Sequence, residues 1–176
     1  RKFQDLFESS RDAIMTLEPP SWRFTSGNPA TVKMFRTKNE EEFISHGPWE
    51  LSADRQPDGR ASAEKAKEMI ETAMREGSHL FEWMHRRIGG EDFFADVLLT
   101  RMEREGKAML QATVRDITER KQAEEALRAS EAKYRTIIDM CPNGILIADV
   151  ETKGLRYANL AACRMLGYTS EELATM

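Results

Sequence analysis

Few residues in this chain could do chemistry at neutral pH. They are three histidines, His46, His79 and His85, and two cysteines, Cys141 and Cys163. A phosphoacceptor histidine needs a helix, an acidic neighbour and a proline a few residues on. His46 precedes Gly47-Pro48 in a turn-rich stretch, while His79 and His85 fall in a strand-like run, so none fits. A glycine-rich nucleotide lid is missing too, and kinase catalysis is not expected within these residues. Gly89-Gly90-Glu91-Asp92-Phe93 sets two carboxylates behind a glycine pair. That could begin a divalent-metal site against phosphates, but such a site needs a second acidic motif upstream. None is there, and a Gly-Gly turn between two strands accounts for the same letters. The cysteines lie far apart without metal-ligand spacing. Neither a disulfide framework nor a metal is expected, and the expected setting is the reducing cytoplasm.

The elements that must position these residues follow from composition and periodicity. Hydrophobic residues are 40% of the 176 and charged residues 32%, enough for a core beneath a very polar surface. The net charge of -4 argues against nucleic acid as a partner, and no apolar run reaches the ~20 residues of a membrane span. Phe3, Leu6 and Phe7 share one helical face. AIMTLE (13–18) and WRFTSGN (22–28) read as strands around Pro19-Pro20. Asn28 with Pro29 opens a short helix, 38–45 gives another helical piece, and 47–60 is a loop. Ser62 is placed to cap a helix to about Arg75, with Ala66, Met69, Ile70 and Ala73 as its inward stripe. Three strands then follow, joined at Gly89-Gly90 and Glu105-Gly106. This order predicts an α+β fold: a five-stranded antiparallel sheet with helices on one face, followed by a long helix.

That helix is ERKQAEEALRASEAK, nearly all strong helix formers. Arg120, Ala123, Leu127, Ser130, Tyr134 and Ile137 take the spacing of a coiled-coil seam, with Arg and Ser weakening it. Two readings stay open, a parallel dimer seam and a solvated single-helix spacer. Beyond it the chain starts over. Displaced by 131 positions and without a gap, Tyr134 falls on Phe3, Ile138 on Phe7, Asn159 on Asn28 and Met165 on Met34. This is an internal repeat whose second copy stops where the first reaches Ser45. The chain opens on Arg1 and stops at Met176 in mid-pattern, so a piece of a longer protein is expected.

The order of helix, AIMTLE, Asn-x-Ala, mid-chain helix, three-strand meander and Asp116-Ile117-Thr118-Glu119-Arg120-Lys121 resembles the PAS sensor domain family. Gln56-Pro57-Asp58-Gly59 with Phe81-Glu82-Trp83-x-His85 is similar to one bacterial subset of it. The resemblance implies a complete PAS domain over 1–118, a signalling helix over 119–133 and the first part of a second PAS domain over 134–176. It implies sensory input and relay, most often in a histidine kinase or a diguanylate cyclase. Asp116, Ile117 and Thr118 would then couple the core to the helix, a role compatible with plain capping. Met34, Phe35, Met69, Ile70, Phe81, Trp83 and His85 fall where the family's pocket forms, although Met and aromatic stripes of this kind are more often ordinary core. A homodimer is expected through Phe3, Leu6, Phe7, Leu127 and Tyr134, with an effector domain in the parent chain and an unidentified small molecule as ligand. No haem is expected, since 61–76 has no histidine. No flavin is expected, since the first repeat has no cysteine. A ligand-free dimerisation adaptor of a diguanylate cyclase and a cofactor-bearing redox or gas sensor are the alternatives.

Overall fold

Alternation decides the sheet. In β1 (Ala13–Glu18), Ala13, Met15 and Leu17 are buried and Glu18 is exposed, the period-two pattern of a sheet with one packed face. The computed structural model describes residues 2–175, with the side chains of Lys2, Phe3 and Ala174 outside the described residues. The expected interface role of Phe3 therefore lies outside them. β2 (Arg23–Gly27), β3 (Ser78–Arg86), β4 (Asp92–Arg104) and β5 (Lys107–Asp116) complete the sheet in the order β2-β1-β5-β4-β3. Every neighbouring pair is antiparallel. This is the predicted α+β arrangement.

α1 (Lys2–Ser9) precedes the sheet, and α2 (Pro29–Phe35), α3 (Glu40–Ile44) and α4 (Ser62–Glu76) lie between β2 and β3 in sequence. Phe35, Phe43, Leu51, Ile70 and Ala73 pack with Met15, Val97 and Leu110 in one core. Phe35 and Phe43 are fully buried, and each such side chain contributes about 1.5–3 kcal/mol. Gly27 is required by close approach, since a Cβ there would stand 2.8 Å from the Phe43 ring. Gly89 and Gly90 have φ of 103° and 91°, the left-handed region that glycine tolerates, so the glycine pair is a hairpin turn. Its two acids are bound by arginines: Glu91 to Arg36 at 2.6 Å and Asp92 to Arg86 at 2.6 Å. Among the described residues, no group of three or more metal-binding side chains occurs.

One expected cap is not formed. Ser62 does not cap α4; Ala61 is the N-cap and makes no side-chain hydrogen bond. The Ser62 hydroxyl is buried and used elsewhere, donating to the Ala53 carbonyl at 2.5 Å and accepting from Gln56 Nε2 at 2.7 Å. A loop folded onto this helix end outcompetes the local cap. After the sheet, α5 runs unbroken over Thr118–Met140, so the stretch 119–133 and the opening helix of the repeat form one element. Neither glycine nor proline interrupts it before Pro142.

The chain divides into two units, Arg1–Lys121 and Gln122–Met176. The second has a two-stranded ribbon, β6 (Leu146–Ala148) and β7 (Leu155–Ala158), with α6 (Leu160–Leu166) and α7 (Ser170–Ala174). Its buried cluster is small, Ala158, Ala162 and Leu173. Leu146, Ile147, Met165 and Leu166 are exposed, whereas Ile145 and Tyr157 are partly covered. Among the described residues, no helix is long and apolar enough to cross a membrane.

Candidate functional site

An apolar cavity of about 50 Å³ lies between the inner face of the sheet and α4. Of the predicted pocket residues, Met69, Ile70, Phe81, Trp83 and His85 line it. Met34 and Phe35 do not; Phe35 is fully buried edge-on to the His85 ring at 5.1 Å, and Met34 packs on the core nearby. Sequence reasoning missed Ser52, which comes from the loop before α4 and joins the lining. Trp83 was the available signal, because a buried indole N–H needs an acceptor. It donates to Ser52 Oγ at 2.8 Å, and Ser52 Oγ donates to the Pro48 carbonyl at 2.6 Å.

The same loop is stitched to β3 by two further residues. Gln56 is buried, donates from Nε2 to the Met84 carbonyl at 3.1 Å and accepts from the Met84 amide at 2.8 Å. Leu51 presents its carbonyl to His85 Nδ1 at 3.0 Å. The two short motifs around Gln56 and Trp83 are therefore hydrogen-bonded neighbours. His85 is 7% exposed, and its Nε2 has no partner among the described residues. Burial pushes the ring's pKa down to about 4, Arg87 adds to that, and the Leu51 carbonyl and Asp116 oppose it in part.

From His85 a chain of contacts leads out of the core. Its ring stacks on Phe93 at 5.5 Å, and the Arg87 guanidinium lies over the same Phe93 ring at 4.0 Å. Arg87 bonds Asp116 at 2.6 Å and donates to the Met34 carbonyl. Asp116 Oδ1 accepts from the Thr118 amide at 2.9 Å, at the first turn of α5. Ile117 is buried and donates its amide to the Phe94 carbonyl at 2.9 Å, while Thr118 Oγ1 accepts from the Phe94 amide at 3.2 Å. These two bonds pin the start of α5 to β4. Burial alone would raise the Asp116 carboxyl, but the hydrogen bonds from Thr118 and Arg87 outweigh it and hold the pKa below the usual carboxylate value. Leu127 and Tyr134 on α5 are 62% and 63% exposed, Leu6 on α1 is exposed, and Phe7 is partly covered.

The Asn-x-Ala repeat has a physical counterpart in each unit. Asn28 is fully buried; its Oδ1 accepts from the amides of Ile14 and Thr31, and its Nδ2 donates to the carbonyls of Phe7 and Asp12. Asn159 Oδ1 accepts from the amides of Ile145 and Ala162, and Nδ2 donates to the carbonyls of Ile138 and Asn143. All four partners are the counterparts of those of Asn28 at the same displacement of 131 positions.

A sheet of this order, a core cavity behind it and a polar clasp at the exit into a helix define a sensory and signalling class of domain. The chain belongs to the PAS domain family: one PAS domain model matches residues 11–119, and a second matches residues 132–175. No curated protein matches the sequence. Among solved structures, the chain is similar to a PAS domain from a two-component sensor histidine kinase, with 22% identity and a TM-score of 0.53 over 65% of this chain and 94% of that one. It is also similar to the PAS domain of an HTR-like protein from Haloarcula marismortui, with 23% identity and a TM-score of 0.55 over 66% and 89%. A third is the PAS domain, in complex with ethanol, of a LuxR-family transcriptional regulator from Burkholderia thailandensis, with 17% identity and a TM-score of 0.52 over 65% and 96%. At these identities the likeness is one of fold.

Proposed function

We propose that this chain is the input and relay part of a bacterial multi-PAS sensor histidine kinase. A small molecule held in the core cavity would be the input, and Asp116-Ile117-Thr118 would pass its effect to α5. The supporting observation is the contact chain His85, Phe93, Arg87, Asp116, Thr118, which runs from the cavity wall to the helix start. Coupling of this kind needs an element with two arrangements, and the clasp on Phe94 and Arg87 supplies one that can be made or broken. The ethanol-bound relative of similar fold supports a small ligand, and the histidine kinase relative supports the output. The active form would be a homodimer joined along α1 and α5, with the effector elsewhere in the parent chain.

The relay is tested by filling the cavity from α4. Ala66→Leu should alter hydrogen exchange at the amides of Thr118 to Lys121, and Arg87→Ala in the same chain should abolish that response. An Ala66→Leu effect that survives Arg87→Ala would refute the route. A second reading is favoured by the small volume of the cavity, 50 Å³. It is a ligand-free dimerisation adaptor, in which Ala66→Leu leaves both exchange at α5 and assembly unchanged.

A further inference from the structure

We propose that an ionic latch, Arg120 and Lys121 on Glu82 and Asp96, holds the first turn of α5 to the outer face of the sheet and makes that turn responsive to ionic strength. The latch goes beyond the relay proposed above, since it needs no occupant in the cavity and uses none of His85, Arg87 or Asp116. Glu82 on β3 and Asp96 on β4 are cross-strand partners in register. Their side chains lie on the face opposite the buried Trp83 and Ala95. Two carboxylates directly opposite one another repel. Within the sheet, Arg115 faces Asp96 from β5 but is engaged by Asp12, donating to both of its oxygens at 3.2 and 2.7 Å.

The helix carries the opposite problem. Arg120 and Lys121 lie in its first turn, where the aligned peptide dipoles disfavour positive charge. Brought together, the two pairs offset each other's cost. Arg120 stands 3.3 Å from Asp96 and 3.7 Å from Glu82, and Lys121 stands 2.7 Å from Glu82. Lys121 also lies 5.9 Å from the centre of the Phe94 ring, on the residue whose backbone pins Ile117 and Thr118. Exposure decides what controls the latch. Arg120 and Glu82 are 52% and 50% exposed, so dissolved ions reach the network. Salt then weakens the attraction between helix and sheet and leaves the backbone bonds of Ile117 and Thr118 in place. The first turn has two states, latched or held by the backbone alone.

The test measures amide protection factors by hydrogen exchange on the 176-residue chain. Glu82→Gln with Asp96→Asn removes the acids and their mutual repulsion together. Protection of the amides of Lys121 to Glu124 should fall about fivefold, the loss expected for two exposed ion pairs, while β3 and β4 keep or gain protection. Unchanged protection in the first turn overturns the latch, and a parallel loss in β3 and β4 would mark the acids as parts of the sheet alone. Raising NaCl from about 0.1 M to about 1 M shortens the screening length from ~10 Å to ~3 Å. The wild-type first turn should lose protection to the same extent over that range, and the double variant should not respond. Equal salt responses in the two chains would sink the ionic-strength claim. Should the double variant lose its fold, Lys121→Glu and Glu82→Lys are compared singly and combined. Each alone should lower first-turn protection and the exchanged pair should restore it, whereas additive losses would overturn the proposal.

Discussion

His85 is neutral because it is buried, and that makes it a pH-dependent contributor to stability. The unfolded chain protonates it near the ordinary value of 6.5, whereas the folded protein holds its pKa at about 4. The contribution is therefore complete above pH 6.5 and is lost as pH falls from there toward 4, in total about 3 kcal/mol. Denaturant midpoints measured across that window should fall with pH, and His85→Phe should flatten the decline. Asp116 acts at lower pH: its contribution is intact above the ordinary carboxylate value of 3.8 and is lost as pH falls from there through its depressed folded value. At the same scale, Asn28→Ala should lower stability by about 3 kcal/mol, because it leaves several buried backbone groups without partners. Urea unfolding followed by tryptophan fluorescence would report it. An unchanged midpoint would mean that water replaces the amide at no cost.

At the scale of elements, the exit from β5 into α5 carries the most consequence. Asp116 caps the first turn through the Thr118 amide while its other oxygen holds Arg87. Asp116→Ala should cost only about 1 kcal/mol, since the carboxylate is partly solvated. The amides of Thr118 to Lys121 should nevertheless exchange faster, with the core strands as protected as before. Along α5 itself, Leu127 and Tyr134 stay exposed in the single chain, as does Leu6 on α1. Apolar groups at seam spacing favour pairing between copies, though a seam containing Arg120 and Ser130 is marginal alone. Leu127→Glu combined with Phe7→Glu should shift the sedimentation mass from dimer to monomer. A mass unchanged by both substitutions would remove the proposed interface.

At the scale of the whole molecule, the two copies of the repeat differ in what they can bury. The first unit closes five strands over a core built from α2, α3 and α4. The second has a two-stranded ribbon and leaves Leu146, Ile147, Met165 and Leu166 exposed. Two strands are marginal in water without a further layer, and a piece of this size buries too little surface to be robust. Limited proteolysis should cut within residues 145–167 well before it cuts β3 to β5. Equal resistance of the two regions would show that the second unit finds cover in solution.

Much of this was legible from residue order. Period-two burial in AIMTLE, the glycine pair between β3 and β4, and Asn-Pro at the start of α2 are local patterns, and local sterics and capping suffice to read them. The displacement of 131 positions likewise revealed the second Asn-x-Ala, whose hydrogen bonds match the first. What tertiary structure alone decided are pairings across long separations. Trp83 meets Ser52, Arg87 meets Asp116, and Phe94 clasps Thr118 only once the loop path and strand register are fixed. Ser62 shows the conflict directly: its local pattern favours a cap, but a buried carbonyl and a glutamine claim its hydroxyl. The cavity is the extreme case, because its volume is the small space left over when many packed side chains meet. No single stretch of sequence encodes that difference.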